Sequence, residues 1–267
     1  MFDEKLPELI DVAVKAGEAI LAVYDSDDHG ITYKDDSSPL TRADRASHDV
    51  IVQGLQSIAD YPILSEEGRS IPYEQRKSWK TFWLLDPLDG TKEFIKKNGE
   101  FTVNIALVQN GVPVLGIVYS PVLQKLYFGS TSYPSILLEQ MRVDTLADIA
   151  TVLPKAKQLP ITANRKQFTV VASRSHSNPQ TEQFVQSLRE QHGDINLTSI
   201  GSSLKLCLVA DGTADIYPRL GPTMEWDTAA AHAVVLYAGG SVKEFESGKP
   251  LTYNKKELLN PYFVVEI

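Results

Sequence analysis

Phe82-Trp83-Leu84-Leu85-Asp86-Pro87-Leu88-Asp89-Gly90-Thr91 is the stretch on which the reading of this chain turns. The apolar run Phe82 to Leu85 reads as a strand. Pro87 has no N–H to give a sheet ladder, so the strand is expected to end there. Asp86 and Asp89 put two carboxylates at that end, where they repel one another and a cation is the natural compensation. Gly90 lets the backbone approach a ligand closely, and Thr91 supplies a hydroxyl ahead of Lys92-Glu93-Phe94-Ile95, which can open a helix. Two hard oxygen ligands beside a glycine and the amides of a helix start suit Mg²⁺ and a phosphate, the floor of a metal-dependent phosphatase site.

Outward from this run, the first half reads as two helices followed by an antiparallel sheet. Leu6 to Tyr24 and Asp44 to Ile58 each carry apolar residues at helical spacing. Phe101 to Val108 alternates as a half-buried strand does, Asn110-Gly111 turns it into Val112 to Tyr119, and Leu123 to Phe128 adds a third strand. Beyond about residue 135 the pattern changes. Strand-like runs at Phe168–Ala172, Ile195–Thr198 and Ala214–Tyr217 alternate with helical ones at Asn178–Gln191, Ser203–Asp211 and Thr228–Ala238, as in an α/β unit. Residues 146–166, with several lysines and two prolines, read as a surface excursion. The chain therefore divides into an α+β sub-domain, 1–135, and an α/β sub-domain, 136–267, forming one functional unit.

The net charge of −8 argues against a groove for a nucleic-acid polymer, which needs clustered Lys and Arg. A small phosphorylated ligand held through metal ions remains compatible with it. Cys207 is the only cysteine, so no intrachain disulfide can form. The polar start Met1-Phe2-Asp3-Glu4-Lys5 is unlike a signal peptide, and no apolar stretch approaches the roughly 20 residues of a membrane span. The expected location is the cytoplasm.

Three other places carry carboxylates of interest. Glu66-Glu67 before Gly68 is, taken alone, an ordinary solvated loop. Asp227, followed by Thr228-Ala229-Ala230-Ala231, fits an acidic first-turn residue favoured by the helix dipole. Thr41-Arg42-Ala43-Asp44 matches a capping box.

In combination these segments are more specific. Leu64-Ser65-Glu66-Glu67-Gly68, the run from Asp86 to Thr91 and Glu225-Trp226-Asp227-Thr228-Ala229-Ala230 resemble, in order and spacing, the motifs of the inositol monophosphatase superfamily of metal-dependent, lithium-sensitive phosphatases. Within it, Asp89 to Ile95, Ala172-Ser173-Arg174-Ser175-His176 and Tyr217-Pro218-Arg219-Leu220-Gly221-Pro222-Thr223 are similar to the bacterial bisphosphate-nucleotidase branch. The resemblance runs from about Pro39 to Gly240.

It implies a layered α-β-α-β-α sandwich with the active site between the two halves. It implies side-chain metal ligands at Glu66, Asp86, Asp89 and Asp227, a backbone carbonyl ligand at Leu88, and two or three Mg²⁺ ions. Asp44 and Thr91 match the pair that orients and deprotonates the attacking water, with Glu66 beside them as a catalytic residue. Gly90, Thr91, Ser175, His176, Ser202 with Ser203, Lys205, Arg219 and Asp227 are the candidate substrate contacts. Lys205 fits an ordinary surface lysine equally well, and His176 a loop or capping residue. Arg219, in a proline-flanked loop near Asp227, ranks above them.

The implied reaction is hydrolysis of the 3′-phosphate of adenosine 3′,5′-bisphosphate, or of 3′-phosphoadenylyl sulfate, in sulfate assimilation. The rivals are an inositol-1-phosphate phosphatase and a non-catalytic nucleotide-sensing or scaffold protein. Members of the superfamily are often dimers, so the resemblance leaves a homodimer open, as it does a peripheral association with the inner membrane.

Overall fold

The computed structural model of the chain describes residues 3–26, 30, 32–33, 39–161, 167–172 and 178–267. Helices α1 (Leu6–Tyr24) and α2 (Arg42–Ile58) flank a short antiparallel pair, β1 (Thr32–Tyr33) and β2 (Pro39–Leu40). There follow β3 (Ile63–Ser65), the short α3 (Tyr73–Arg76), β4 (Thr81–Asp89), α4 (Thr91–Ile95), β5 (Thr102–Gln109), β6 (Val112–Ser120), β7 (Lys125–Ser130) and β8 (Tyr133–Leu138). After α5 (Ile149–Val152), β9 (Lys157–Gln158) completes a seven-stranded sheet in simple sequence order, β3 to β9. Its pairings are antiparallel except β3 with β4, which run parallel. The expected antiparallel sheet is thus mixed at one edge, because the segment carrying Glu66 and α3 crosses back before β4 begins.

The second sheet takes β10 (Thr169–Val171), β11 (Asn196–Thr198) and β12 (Ile216–Arg219) in parallel, with α6 (Pro179–His192) and α7 (Leu204–Ala210) between them in sequence. Helix α8 (Glu225–Tyr237) follows, and β13 (Ser241–Glu244) and β14 (Phe263–Glu266) finish the order β11-β10-β12-β14-β13. Neither β8, β13 nor β14 was expected from periodicity.

The two-residue alternation of the strands decides the layering. Trp83, Leu85, Val103, Ile105, Leu107, Ile117 and Tyr119 share a core with α1 and α2. The intervening Phe82, Leu84, Ala106, Val108 and Val118 share a second core with α7, α8 and the inner face of the smaller sheet, Val171 and Tyr217 included. Val170 and Ile216 point the other way, onto Val185 and Leu188 of α6. The result is the expected α-β-α-β-α sandwich. Its centre is tight: a Cβ added at Gly116 of β6 would stand 2.0 Å from the Ala230 carbonyl oxygen of α8. Small residues at this contact, Ala229, Ala230 and Ala233 among them, bring α8 against the sheet.

Residues 146–159 correct the expected surface excursion. Leu146, Ile149, Val152 and Leu153 pack on the α1–α2 core, β9 pairs with β8, and Leu159 is buried. The lysines and prolines that suggested a loop share the segment with these apolar side chains, whose contacts tie it to the sheet. Residues 162–166 lie outside the described part. Among the described residues no helix is long and apolar enough to cross a membrane.

Candidate active site

The end of β4 supplies the centre of the site. Its pairing with β5 runs Asp86 to Asn104 and resumes at Asp89 to Thr102, three steps along one strand against two along the other. That is a bulge, and Pro87 sits inside it, where the missing N–H leaves no ladder bond broken. The strand therefore continues past Pro87 instead of ending there. The Pro87 carbonyl accepts from Ser47 Oγ of α2 at 2.7 Å, and the Leu88 amide donates to Asp86 Oδ1 at 3.1 Å. Gly90 then takes φ +94°, a conformation open to glycine, and Thr91 becomes the first residue of α4.

Asp44 reaches this point from α2. Thr41 and Asp44 form the expected capping box: Thr41 N and Thr41 Oγ1 donate to Asp44 Oδ2 at 2.7 and 2.6 Å, and Ala43 N donates to Thr41 Oγ1. The other carboxylate oxygen, Oδ1, faces Thr91 Oγ1 at 3.5 Å, and the Thr91 hydroxyl lies the same distance from the Leu88 carbonyl. Asp44 is buried, and burial raises its carboxyl above the ordinary range despite the hydrogen bonds from Thr41.

Glu66 stands just beyond β3, its amide bonded to the Leu85 carbonyl of β4 at 3.1 Å. Asp227 is in the first turn of α8, where its Oδ2 accepts from Met224 N at 2.9 Å. The first-turn position read from sequence is thus real; the side chain also caps the helix, and both coexist with a place in the site. Burial first, then the charges of Glu66, Asp89 and Asp227, push the Asp86 carboxyl well above its usual range. Asp227 is raised likewise by burial, Asp89 and Glu66. Four carboxylates from three segments therefore act on one another. Among the described residues no three His, Cys, Asp or Glu side chains already form a coordination shell. The donor set, all oxygen and with the Leu88 carbonyl beside it, is nevertheless the kind that fits a hard divalent cation and not a soft one.

The opposite wall comes from the C-terminal half. Ser202, in the left-handed conformation at φ +58°, donates from Oγ to Asp89 Oδ2 at 2.6 Å, and the Ser203 amide donates to the same oxygen at 2.6 Å. Lys205 is half-buried in the cleft, with Nζ on the Ser202 carbonyl at 2.9 Å. Burial lowers its ammonium to about 8, with Asp89 opposing and Arg219 adding to the effect. It is no ordinary surface lysine. Arg219 is 9% exposed, bonds the Pro222 carbonyl through Nη2 at 2.9 Å, and leaves Nε without a partner among the described residues. Asp89, Gly90, Ser202, Lys205, Arg219 and Asp227 line one cleft. Ser175 and His176 lie outside the described residues.

Comparisons with known proteins give the family. The model of the inositol monophosphatase family matches residues 3–262. The chain belongs to the inositol monophosphatase family. Among its relatives, the 3′(2′),5′-bisphosphate nucleotidase CysQ of Shigella flexneri is 46% identical over 98% of this chain and 99% of its own. CysQ of Buchnera aphidicola is 40% identical over 91% of this chain and 85% of its own. The crystal structure of CysQ from Bacteroides thetaiotaomicron, described as a bacterial member of the same family, superposes with a TM-score of 0.89 at 48% identity. That match covers 100% of this chain and 98% of the other. An inositol monophosphatase of Thermotoga maritima, 21% identical with a TM-score of 0.74 over 98% of this chain and 92% of its own, shares the fold.

Sequence reasoning missed Thr102 and Asn104. A signal was available: Thr102 and Asn104 are polar residues two apart at the start of a strand that is otherwise apolar up to Val108, so they share one face. Both are fully buried beneath Asp89.

Proposed function

We propose that this chain is a Mg²⁺-dependent 3′(2′),5′-bisphosphate nucleotidase. It hydrolyses the 3′-phosphate of adenosine 3′,5′-bisphosphate to AMP and phosphate, and takes 3′-phosphoadenylyl sulfate as a further substrate. The observation that carries this reading is a cleft where the Asp89 and Asp227 carboxylates meet Lys205 and Arg219, with the Asp44–Thr91 pair directly after its Gly90. The high identity over nearly the full length of curated nucleotidases supports the substrate.

Glu66, Asp86, Asp89 and Asp227, with the Leu88 carbonyl, would hold two or three Mg²⁺ ions. Bound there, such ions neutralise phosphate oxygens and acidify water. Thr91 Oγ1 takes the proton of the attacking water as its own passes to Asp44 Oδ1. The raised carboxyl of Asp44 is suited to accept it. The Gly90 and Thr91 amides face the phosphate at the start of α4. Arg219 and Lys205 meet the second phosphate, and the buried guanidinium, with Nε still to satisfy, is the stronger anchor. Recycling of this nucleotide places the enzyme in sulfate assimilation, in the cytoplasm.

The test is phosphate release from adenosine 3′,5′-bisphosphate and from inositol 1-phosphate in parallel, with Mg²⁺ and with or without Li⁺. A lithium-sensitive preference for the nucleotide is expected. Preference for the inositol ester would overturn the substrate assignment, and inactivity on both would overturn the enzyme reading.

A further inference from the structure

Beneath Asp89 lies a buried polar cluster that the mechanism above does not use. Thr102 Oγ1 is 2.5 Å from Ser202 Oγ and 2.8 Å from Ser203 Oγ, and Ser203 Oγ is 2.8 Å from the side-chain oxygen of Asn104. Asn104 is 0% exposed, and its Nδ2 has no partner among the described residues. A buried donor left unpaired costs more than an under-used carbonyl. The two ends of an amide are alike in size, and a half-turn would bring Nδ2 to Ser203 Oγ.

Proton counting then leaves one direction for the whole cluster. Asp89 Oδ2 accepts only, so Ser202 Oγ must give its single proton there. Ser202 can therefore only accept from Thr102, which spends its own proton on that bond. Thr102 must then accept from Ser203, and Ser203 in turn from an N–H. Asn104 Nδ2 is the donor in place. We propose that Asn104 heads a directed relay, Asn104 to Ser203 to Thr102 to Ser202 to Asp89, that positions the Asp89 carboxylate as a cation ligand. The relay rests on the metal-site reading above. Hydrogen bonds in such a chain polarise one another, and the last is charge-assisted. The Ser203 amide on the same Oδ2 adds a second tether, so both fixed bonds fall on one oxygen of the pair. Thr102 and Asn104 come from the first half of the chain and Ser202 and Ser203 from the second. The ligand is thus set only when the halves are packed together. These are positioning residues.

The experiment measures binding of Mg²⁺ alone by titration calorimetry, beside the Mg²⁺ dependence of turnover, with thermal melts as a check on folding. Thr102→Val keeps the shape and deletes one link; Mg²⁺ binding is expected to weaken at least five-fold. Thr102→Ser restores the hydroxyl and should return it to within two-fold of the parent. Asn104→Asp puts an acceptor where the relay needs a donor, and should weaken binding as Thr102→Val does. Should Thr102→Val not fold, Ser202→Ala breaks the last link at a half-buried position. Unchanged Mg²⁺ affinity in folded Thr102→Val or Ser202→Ala would overturn the relay while leaving the metal-site reading intact. Unchanged affinity in folded Asn104→Asp would overturn its direction and its origin at Asn104. A parent protein that binds no Mg²⁺ would overturn both readings.

Discussion

Thr91 Oγ1 lies 3.5 Å from Asp44 Oδ1, although the two residues are 47 positions apart and open different helices. The other oxygen of Asp44 closes the α2 capping box. One carboxylate thus secures a helix start and faces the hydroxyl across the site. Asp44→Asn separates the two roles. The amide oxygen can still accept from Thr41, so stability should stay within about 1 kcal/mol. Loss of the proton acceptor should cut kcat about 10²–10⁴-fold with little change in KM. Thr91→Val should show the same kinetic loss and Thr91→Ser should largely escape it. Steady-state kinetics with thermal melts would check all three.

Asp86 is buried among three like charges, and it should be costly when no cation is supplied. In EDTA, Asp86→Asn is expected to melt higher than the parent, by roughly 2–4 °C for each kcal/mol of relieved repulsion in a chain of this size. Adding Mg²⁺ should raise the parent more than the variant; at 100 times Kd the parent gains about 2.7 kcal/mol. The variant should be inactive. A lower melting point in EDTA would show that the carboxylate is already compensated from within the fold.

Arg219 brings a buried guanidinium to the cleft, with Nε unpartnered among the described residues. A hydrogen bond to a charged group contributes about 1.5–3 kcal/mol, or roughly 10–150-fold in affinity. Arg219→Ala should therefore lower kcat/KM by that factor on adenosine 3′,5′-bisphosphate, and by much less on a substrate with one phosphate. Equal losses on both would remove Arg219 from recognition of the second phosphate.

His232 is a stability sensor away from the chemistry. It is 3% exposed, its Nδ1 meets the Tyr253 hydroxyl at 2.9 Å, and burial lowers it to about 4. Its folded value lies below its unfolded one, so the unfolded chain binds the proton more readily. This term is fully stabilising above about pH 6.5 and is lost as pH falls from there towards 4, by roughly 3 kcal/mol. Asp86 and Asp227, raised on folding, act in the opposite sense: their contribution is present in acid and lost as pH rises. Denaturant unfolding of the parent and of His232→Gln, at pH 7 and pH 4.5, isolates the histidine. The variant should lose less stability between the two.

The apolar run of Phe82 to Leu85, the alternation of Phe101 to Val108, and the helical spacing in α1 and α2 made most of the large sheet and its helices legible. Those signals are local, and each element needs only its own residues to show them. β14 was not legible, because Phe263 to Glu266 owes its place to pairing with Arg219 and Ser241 segments distant in sequence. The span of β4 past Pro87 was misjudged for a related reason. A proline rule describes one strand, whereas the bulge that accommodates it belongs to the β4–β5 pair.

From the sequence alone came the chemistry: the types and spacing of Glu66, Asp86, Asp89 and Asp227, the Asp44 cap and the glycine before Thr91. Whether those groups meet was decided by tertiary structure. Asp227 reaches Asp86 because α8 packs on the large sheet through small side chains, and Asp89 is oriented because Ser202 and Ser203 arrive from the other half. Backbone propensity and hydrophobic period act over a few residues. The approach of charged groups from distant segments costs desolvation and repulsion, which only the packed core of the whole chain can offset.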